Sequence, residues 1–497
     1  MERIPLDRLS RDEMVPLIER LFDRLEVLER QNAELTKRLE KQSRRIEELE
    51  KRHPTVRLDE SYSMKAETQR RADAAGKKHK QKSKRRGRIS TAEKLAEATC
   101  QQDVWPSQYS PVDCQWKYSR AVWRILDGRA VRVAYRIHAG PDGRVPPIPG
   151  VPKRGEHGSE IIFALAYQHY ITGLPLDTVL EEFSFYWGLN LRKSQADAML
   201  NRLAREWLPE FDALCQLIAV SAVVYADETS WSINSVWAFL SEKARVTIFG
   251  CRKDGETLAV LLKKSEFQGI LVSDDAAVYE GFHRAQKCWA HLIRKAIRLT
   301  LLKPNRPRYR VFLDSLLDIY RRGKAIAADQ RLSEAGRRAR VASLVDAICD
   351  CTGARFSDHS RSSDEAEQDF FNLTHEIVRL LGNDELFTYV IHPEVDGTNN
   401  ESERTLRHPS QDRDTGQTNK TWRGARRRTV ISSVLDSLRL RLPKLTLRTV
   451  LAEIERWQQQ GISCFRRMVQ DLNLPPLSLP EMISSPLELL VPQTDSG

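Results

Sequence analysis

The chain has 497 residues and a formal net charge of +11. One hydrophobic core stops growing at about 250–300 residues, so two or more domains are expected. The positive charge favours a polyanionic partner, although ribosomal and membrane-surface proteins share this balance. The apolar runs are too short for a membrane helix of about 20 residues, and no secretory signal is recognisable. The 8 scattered cysteines suit a reducing compartment. These features predict a cytoplasmic protein with no membrane partner.

Residues 1–53 are predicted to form a coiled coil. Between residues 18 and 49 the spacing alternates three and four, with residues 18, 25, 32, 39 and 46 at a and residues 21, 28, 35, 42 and 49 at d. Asn32 at an a position is typical of a residue that fixes register. We favour a parallel homodimer; the alternative is a long helix that packs on its own chain, and Gln42 at d weakens the seam.

Residues 54–88 are predicted to be a basic linker, because periodicity ends after Pro54 and residues 77–88 read KKHKQKSKRRGR. Such a run either contacts nucleic-acid phosphates or serves as a solvated tether. The candidate phosphate contacts are Lys77, Lys78, Lys84, Arg85 and Arg86.

Residues 89–157 give no clear indication of fold and are a possible DNA-binding region, closed by a Gly/Pro-rich stretch at residues 140–155. Cys100 and Cys114 lack a second pair nearby, so we do not expect a zinc site there. Residues 158–220 have helical spacing, with a turn at residues 188–190. They predict a helical domain, which either places a helix in a DNA groove or packs only as a core.

Residues 221–455 are predicted to form an α/β domain. Four β-branched and aromatic runs predict strands at residues 222–227, 236–242, 245–251 and 269–274, and a fifth candidate covers residues 284–290. Helical patterns follow from about residue 291 to residue 381 and again from residue 399. Residues 456–497 are expected to be a C-terminal tail.

Two aspartates follow apolar strand runs, where a charge would not serve packing: Asp227 in YADETSW and Asp274 in ILVSDD. Carboxylates at the ends of neighbouring parallel strands form a pocket for Mg²⁺ or Mn²⁺. A third carboxylate, Glu403, begins a predicted helix that also carries Arg404 and Arg407. Three carboxylates can hold two metal ions about 3.5–4 Å apart for displacement at phosphorus. Taken singly, the aspartates would more often be turn residues, and Glu403 a surface residue paired with an arginine.

Four segments, in this order, resemble bacterial transposases of the insertion sequence 66 family: YADETSW (225–231), VSDDAAVYEGF (272–282), CWAHLIRKA (288–296) and NNESERTLR (399–407). The resemblance implies a ribonuclease H-like catalytic domain of the DDE type, whose first Asp lies on the first strand and whose second follows the fourth. Asp227 and Asp274 match those positions. It also implies a helical insertion at residues 292–395, and a catalytic Glu at Glu403 rather than Glu401.

The sequence departs from the family pattern in three places. Asp275 stands where the family usually has Gly, so either Asp274 or Asp275 is the second ligand. Cysteine pairs ahead of the catalytic domain are missing. The segment 415–428 matches only loosely, so its basic residues either contact DNA phosphates or form a solvated basic face. They are Lys420, Arg423 and Arg426 to Arg428.

Cys288 and His291 have the CxxH spacing of a metal pair, but no partner pair is visible in the sequence. We therefore expect His291 to be a hydrogen-bonded structural histidine, and Trp289 to belong to the packing at the end of the fifth strand.

The resemblance predicts a DNA transposase of a bacterial insertion sequence, which cleaves and transfers strands at the ends of its element. The implied partners are terminal inverted repeats, target DNA and possible accessory proteins of the same element. Two alternatives stay open: a non-catalytic DNA-binding regulator descended from a transposase, and a structure-specific nuclease that does not join strands.

Overall fold

A computed structural model describes residues 89–232, 234–353, 364–419 and 421–474. The predicted coiled coil and basic linker lie outside the described residues, as do the candidate phosphate contacts at Lys77, Lys78, Lys84, Arg85, Arg86 and Lys420. Of the expected C-terminal tail, residues 456–474 are described. Those predictions about the N-terminal segments therefore stay predictions.

Residues 89–157, whose fold the sequence did not indicate, contain a small three-stranded sheet. Helix α1 (Thr91–Ala96) begins at a capping box between Ser90 and Glu93. Strands β1 (Cys100–Val104), β2 (Gln115–Leu126) and β3 (Arg129–Ala139) follow in the order β1-β3-β2. Asp127 and Gly128, both at positive φ, make the two-residue turn of the β2–β3 hairpin. One face buries Val122, Val133 and Ile137.

Four helices occupy the predicted helical region: α2 (Ser159–Tyr170), α3 (Leu176–Trp187), α4 (Lys193–Glu206) and α5 (Leu208–Ala219). The predicted turn is present, because Gly188 adopts a left-handed φ of 67° and ends α3. These helices share one continuous core with a face of the sheet that follows, including Val224 and Ala226.

A second, five-stranded sheet is formed by β4 (Val223–Ser230), β5 (Ser235–Leu240), β6 (Arg245–Cys251), β7 (Ile270–Ser273) and β8 (Ala285–Lys287). Helix α6 (Gly255–Leu261) lies between β6 and β7. The order is β6-β5-β4-β7-β8. The pairs β4–β5 and β5–β6 are antiparallel, whereas β4–β7 and β7–β8 are parallel. Each predicted strand run overlaps one of these strands, and the mixed α/β class is confirmed.

Helices cover both faces of this sheet. After β8 come α7 (Trp289–Leu302), α8 (Pro307–Ala328), α9 (Glu334–Thr352), α10 (Glu365–Gly382) and α11 (Thr388–Ile391). Together with Ile270 and Val272 they form a second core, which the partly buried Val223 and Tyr225 line. The chain ends its described part with α12 (Asn400–Asp414), α13 (Trp422–Leu438), α14 (Leu447–Gln460) and α15 (Cys464–Asp471). No helix among the described residues is long and apolar enough to span a membrane.

Helix α13 covers the outer edge of β6. Three hydroxyl groups spaced four residues apart on α13 accept hydrogen bonds from alternate backbone N–H groups of the strand. The pairs are Arg245 N with Ser437 Oγ at 2.9 Å, Thr247 N with Ser433 Oγ at 3.0 Å, and Phe249 N with Thr429 Oγ1 at 3.0 Å. The edge strand therefore finds a helix where another strand would otherwise pair.

Candidate active site

Asp227 and Asp274 lie at the same level on neighbouring parallel strands. The β4–β7 register pairs Val223 with Ile270 and Tyr225 with Val272, so the same offset sets Asp227 beside Asp274. Adjacent strands are about 4.8 Å apart. Strand alternation directs Asp227 to the face that Val223 and Tyr225 line. The two aspartates thus share one face at the carboxyl end of β7.

The sequence suggested that Asp227 ends its strand, but the strand continues beyond it. Strand β4 continues to Ser230 because it keeps pairing with β5 on its other side. Only the pairing with β7 stops before Asp227, at Tyr225. The carboxylate therefore sits where one edge of the strand has become free, which leaves room for Asp274 from the neighbouring strand.

The surroundings of Asp227 are strongly acidic. Burial, reinforced by the charges of Glu228 and Asp274 and by the weaker influence of Glu403, raises the pKa of Asp227 to about 7. The opposing effect is a hydrogen bond of 2.9 Å from the backbone N–H of Glu228 to Oδ1. Within the described part of the chain, neither Asp227 nor Asp274 forms an ion pair. No cationic side chain among the described residues pairs directly with these carboxylates, so a bound cation would favour their ionised forms.

Asn399 fixes the helix that carries Glu403. Its side-chain amide donates to the carbonyl oxygen of Ala226 at 2.8 Å, which ties the start of α12 to β4 one residue before Asp227. The backbone N–H of Glu403 donates to the carbonyl oxygen of Asn399 at 3.2 Å, so Glu403 lies one helical turn further on. Asn399 is completely buried. The amide thereby sets where the third carboxylate stands relative to the sheet.

The two glutamates of α12 have different surroundings. Glu403 accepts a hydrogen bond of 2.5 Å from the Arg294 guanidinium, and its charge acts on Asp227. Glu401 pairs instead with Arg245 on β6 and is half exposed. The geometry therefore brings Glu403, and not Glu401, toward the aspartates.

In the described part of the chain, Asp275, unlike its neighbour Asp274, is engaged by an arginine. One of its carboxylate oxygens accepts a hydrogen bond from Arg379 on α10, and the other is buried without a partner among the described residues. Asp274 lies close enough for its charge to raise the pKa of Asp227. Asp274 is thus the better placed of the two candidates.

Lys287 on β8 is a buried lysine beside this site that the sequence reasoning missed. Its ammonium donates to the backbone carbonyl of Asp274 at 3.1 Å and to Ser273 Oγ at 3.2 Å. Burial lowers the pKa of Lys287. The sequence did show a charged residue within a short predicted strand. The hydrogen-bond partners of Lys287, however, are set by the pairing of β8 with β7, which the sequence does not reveal. Lys287 holds the backbone that carries Asp274.

Glu228, the next residue along β4, lies on the opposite face of the sheet from Asp227. It accepts hydrogen bonds from the Tyr279 hydroxyl and from the Lys253 ammonium, the latter at 2.6 Å. Burial and the Glu228 charge raise the pKa of Tyr279 well above its ordinary value. Glu228 thus has partners of its own and is unavailable to the face that holds Asp227 and Asp274.

The expectation for Trp289 is confirmed and that for His291 is wrong. Trp289 is fully buried and its indole N–H donates to the Leu386 carbonyl at 2.8 Å. His291 Nδ1 is buried with no hydrogen-bond partner among the described residues. It stands 3.6 Å from Glu403 Oε1. The CxxH pair thus lies beside Glu403, a neighbour that the spacing of Cys288 and His291 could not identify.

Several arginines that were candidates for DNA contact are placed differently from one another. Arg404, Arg407 and Arg423 are exposed, which leaves them accessible to a phosphate backbone. Arg427 pairs with Asp197 and donates to the Tyr170 hydroxyl at 2.6 Å. Arg428 pairs with Asp412, and both are buried. For Arg427 and Arg428, DNA contact and a solvated face are both wrong, because these side chains join helices inside the fold.

The family model described as Transposase IS66 family matches residues 154–427 of this chain. The match covers more than half of the chain and includes Asp227, Asp274 and Glu403. A search of curated proteins found no match. The resemblance carried by the four sequence segments is confirmed.

Proposed function

Because the chain belongs to the IS66 family of transposases, we propose that it cleaves and joins DNA at the ends of a bacterial insertion sequence, as a metal-dependent enzyme of the DDE type. The observation that carries this proposal is that the β4–β7 register sets Asp227 beside Asp274, with Glu403 close enough for its charge to act on Asp227. Supporting it is the tie between Asn399 and β4, which holds the Glu403 helix against the first of these strands.

The topology supports a ribonuclease H-like assignment for the catalytic domain. Asp227 lies on the first strand of the five-stranded sheet and Asp274 follows the fourth, which is the placement that the family resemblance implies. The helices α7 to α11 then constitute the family's insertion between the fifth strand and the helix that bears Glu403.

The residues present fit a divalent metal ion. Asp227 and Asp274 offer only oxygen ligands, the type that Mg²⁺ and Mn²⁺ prefer. The elevated pKa of Asp227 shows that its ionised form is disfavoured by burial and by neighbouring carboxylates, and a bound cation would favour that form. We propose that Asp227, Asp274 and Glu403 would hold the ions, which when bound would supply Lewis-acid activation of the attacking oxygen and stabilisation of the leaving one.

The chain's own residues position these carboxylates. Lys287 anchors the backbone of Asp274, Asn399 ties the helix that carries Glu403 to β4, and Arg379 engages Asp275. In strand cleavage a water oxygen bonds to phosphorus while the bond from phosphorus to the 3′-oxygen breaks, which leaves a 3′-hydroxyl. In strand transfer that hydroxyl attacks a target phosphodiester, and the target's 3′-oxygen leaves. Both are in-line displacements at one site.

We also propose that DNA is bound by exposed arginines of the C-terminal helices, with terminal inverted repeats and target DNA as the ligands. On α12, Arg404 directly follows Glu403 and Arg407 lies one turn beyond it, and the exposed Arg423 lies on α13. The proposal also includes a homodimer formed through the predicted coiled coil and phosphate contacts made by the basic linker. Both of these parts rest on the sequence. Counterion release would make such binding salt-dependent.

The test measures Mg²⁺-dependent cleavage and joining of DNA that carries the element's terminal inverted repeats. Asp227→Asn and Glu403→Gln should each lower the rate by at least about 100-fold, since several kcal/mol of charge stabilisation are lost. Glu401→Gln is the matched control, because it makes the same chemical change two residues away on the same helix. It should stay within about threefold of wild type.

Undiminished activity in Glu403→Gln would contradict the proposed site. Cleavage without joining to a target would identify a nuclease. Specific DNA binding with no Mg²⁺-dependent cutting would identify a regulator that has lost catalysis.

A further inference from the structure

Cys288, His291 and Glu403 form a compact group of metal-ligating side chains. One potential ligand atom from each lies within 4.8 Å of the others. Within the residues that the structure describes, the three carboxylates of the proposed active site do not form a group this tight. The group therefore combines a sulfur, a nitrogen and an oxygen ligand, of which only Glu403 belongs to the proposed catalytic set.

Backbone hydrogen bonds hold together the two chain segments that supply these ligands. The Trp289 N–H donates to the carbonyl of Gly397 at 3.0 Å. The Asn399 N–H donates to the Cys288 sulfur at 3.2 Å. The same Asn399 amide side chain is tied to β4. The sulfur thus has a fixed position, and a backbone N–H already points at it, as in the outer shell of many metal–thiolate sites.

His291 offers the second ligand atom. Its Nδ1 is buried without a hydrogen-bond partner among the described residues and lies 3.6 Å from Glu403 Oε1. Buried polar atoms are nearly always paired, so an unpaired imidazole nitrogen that faces a carboxylate and a thiol calls for a ligand. The side chain is 32% exposed and that of Glu403 is 23% exposed, so an ion can reach both from solvent.

We propose that Cys288, His291 and Glu403 bind one thiophilic divalent cation of the Zn²⁺ class, with a fourth position left to water. Zinc takes thiolate, imidazole and carboxylate ligands together at about 2.0–2.3 Å, whereas Mg²⁺ requires oxygen ligands. On binding, the Cys288 thiol releases its proton to solvent. Arg294, whose side chain is 54% exposed, moves off Glu403 to admit the ion.

This site would compete with the proposed catalytic site, a consequence that rests on the proposed function. Glu403 is the one residue common to both ligand sets, so a cation held by Cys288 and His291 removes the third carboxylate from the Mg²⁺ site. Zn²⁺ should therefore inhibit Mg²⁺-dependent strand cleavage.

The experiment is a Co²⁺ titration of the full-length protein without DNA, followed by absorption spectroscopy. Co²⁺ replaces Zn²⁺ and gives a thiolate-to-cobalt charge-transfer band only when a cysteine is a ligand. Wild type and Cys349→Ser, in which an exposed cysteine is removed, should show the band equally. Cys288→Ser should lose it, and His291→Ala should bind Co²⁺ at least about tenfold more weakly. Circular dichroism checks the fold, and His291→Ala decides the outcome if Cys288→Ser does not fold.

A band that persists in Cys288→Ser, or its absence in folded wild-type protein, would overturn the proposed cation site. Zn²⁺ inhibition that is relieved in Cys288→Ser would support the competition. Cobalt binding as expected, in a protein that cleaves no DNA, would leave this site standing and would refute the proposed function instead.

Discussion

Replacing Asp227 with asparagine is expected to stabilise the fold above neutral pH while it abolishes strand cleavage. The substitution keeps the shape of the side chain and removes its ability to ionise. Burial, and then the charges of Glu228 and Asp274, raise the pKa of this carboxyl from 3.8 to about 7. The folded chain therefore holds a proton that the unfolded chain has already released.

The sign and size of the effect follow from this difference in proton binding. Between pH 4 and pH 7 the folded state binds more protons at this group, so the free energy of unfolding falls as pH rises. Above pH 7 the full penalty remains. At about 1.4 kcal/mol per pKa unit, the elevation from 3.8 to about 7 corresponds to about 4 kcal/mol. Asp227→Asn should recover much of this at pH 8 and less than half of it at pH 5.

Differential scanning calorimetry of wild type and Asp227→Asn at both pH values measures the difference. A stabilisation of this size raises the thermal midpoint by several degrees, since about 1 kcal/mol shifts it by about 2–4 °C in domains of this size. Asp318→Asn is the matched control, because it removes the same charge from a side chain that is 63% exposed. That variant should change the midpoint little at either pH.

Mg²⁺ provides an independent check of the same reasoning. If Asp227 is a ligand, Mg²⁺ should raise the midpoint of wild type at pH 8 and leave that of Asp227→Asn nearly unchanged. An asparagine variant that is less stable than wild type at pH 8, or a difference that does not vary with pH, would refute the argument from buried charge.

Two neighbouring serines on α13 should differ in how much stability their replacement by alanine costs. Ser433→Ala leaves the Thr247 N–H unpaired and should lower the free energy of unfolding by about 1–3 kcal/mol, measured by thermal or urea unfolding. Ser432→Ala removes a hydroxyl with no partner among the described residues and should lower it by less than about 0.5 kcal/mol. Equal losses would contradict the role of the edge hydrogen bond. Lys287→Met should lower single-turnover cleavage by about 10–100-fold with unchanged DNA binding, because Asp274 loses its backbone anchor. Wild-type cleavage in that variant would show that the anchor is dispensable.

The elements that sequence predicted best are those whose signal is local. The β-branched runs gave the five strands, and the turn at Gly188 was identifiable because glycine adopts a left-handed φ easily. Asp227 and Asp274 were chosen as candidates because a carboxylate directly after an apolar run has little value for packing. Each of these inferences needed only a few adjacent residues.

What the sequence could not provide depends on contacts between distant segments. The sheet in residues 89–157 has a parallel β1–β3 pair that no local pattern announces. The role of Asn399 requires knowing that it meets both Ala226 and Cys288, each more than a hundred residues away in the chain. His291 was expected to be a hydrogen-bonded structural histidine because no partner for the CxxH pair was visible in the sequence. Its close neighbour Glu403 is also more than a hundred residues away in the chain.

The hydroxyl stripe of α13 restricts how copies of this chain can assemble. Because Thr429, Ser433 and Ser437 accept from the N–H groups of Arg245, Thr247 and Phe249, these three donors of β6 are not available to a strand from another molecule. The stripe also fixes the helix in rotation, since inserting one residue would turn it by about 100° and unpair the N–H groups on one side of the insertion. Strand-to-strand pairing of two copies through β6 is therefore blocked, and the length of α13 should tolerate little change.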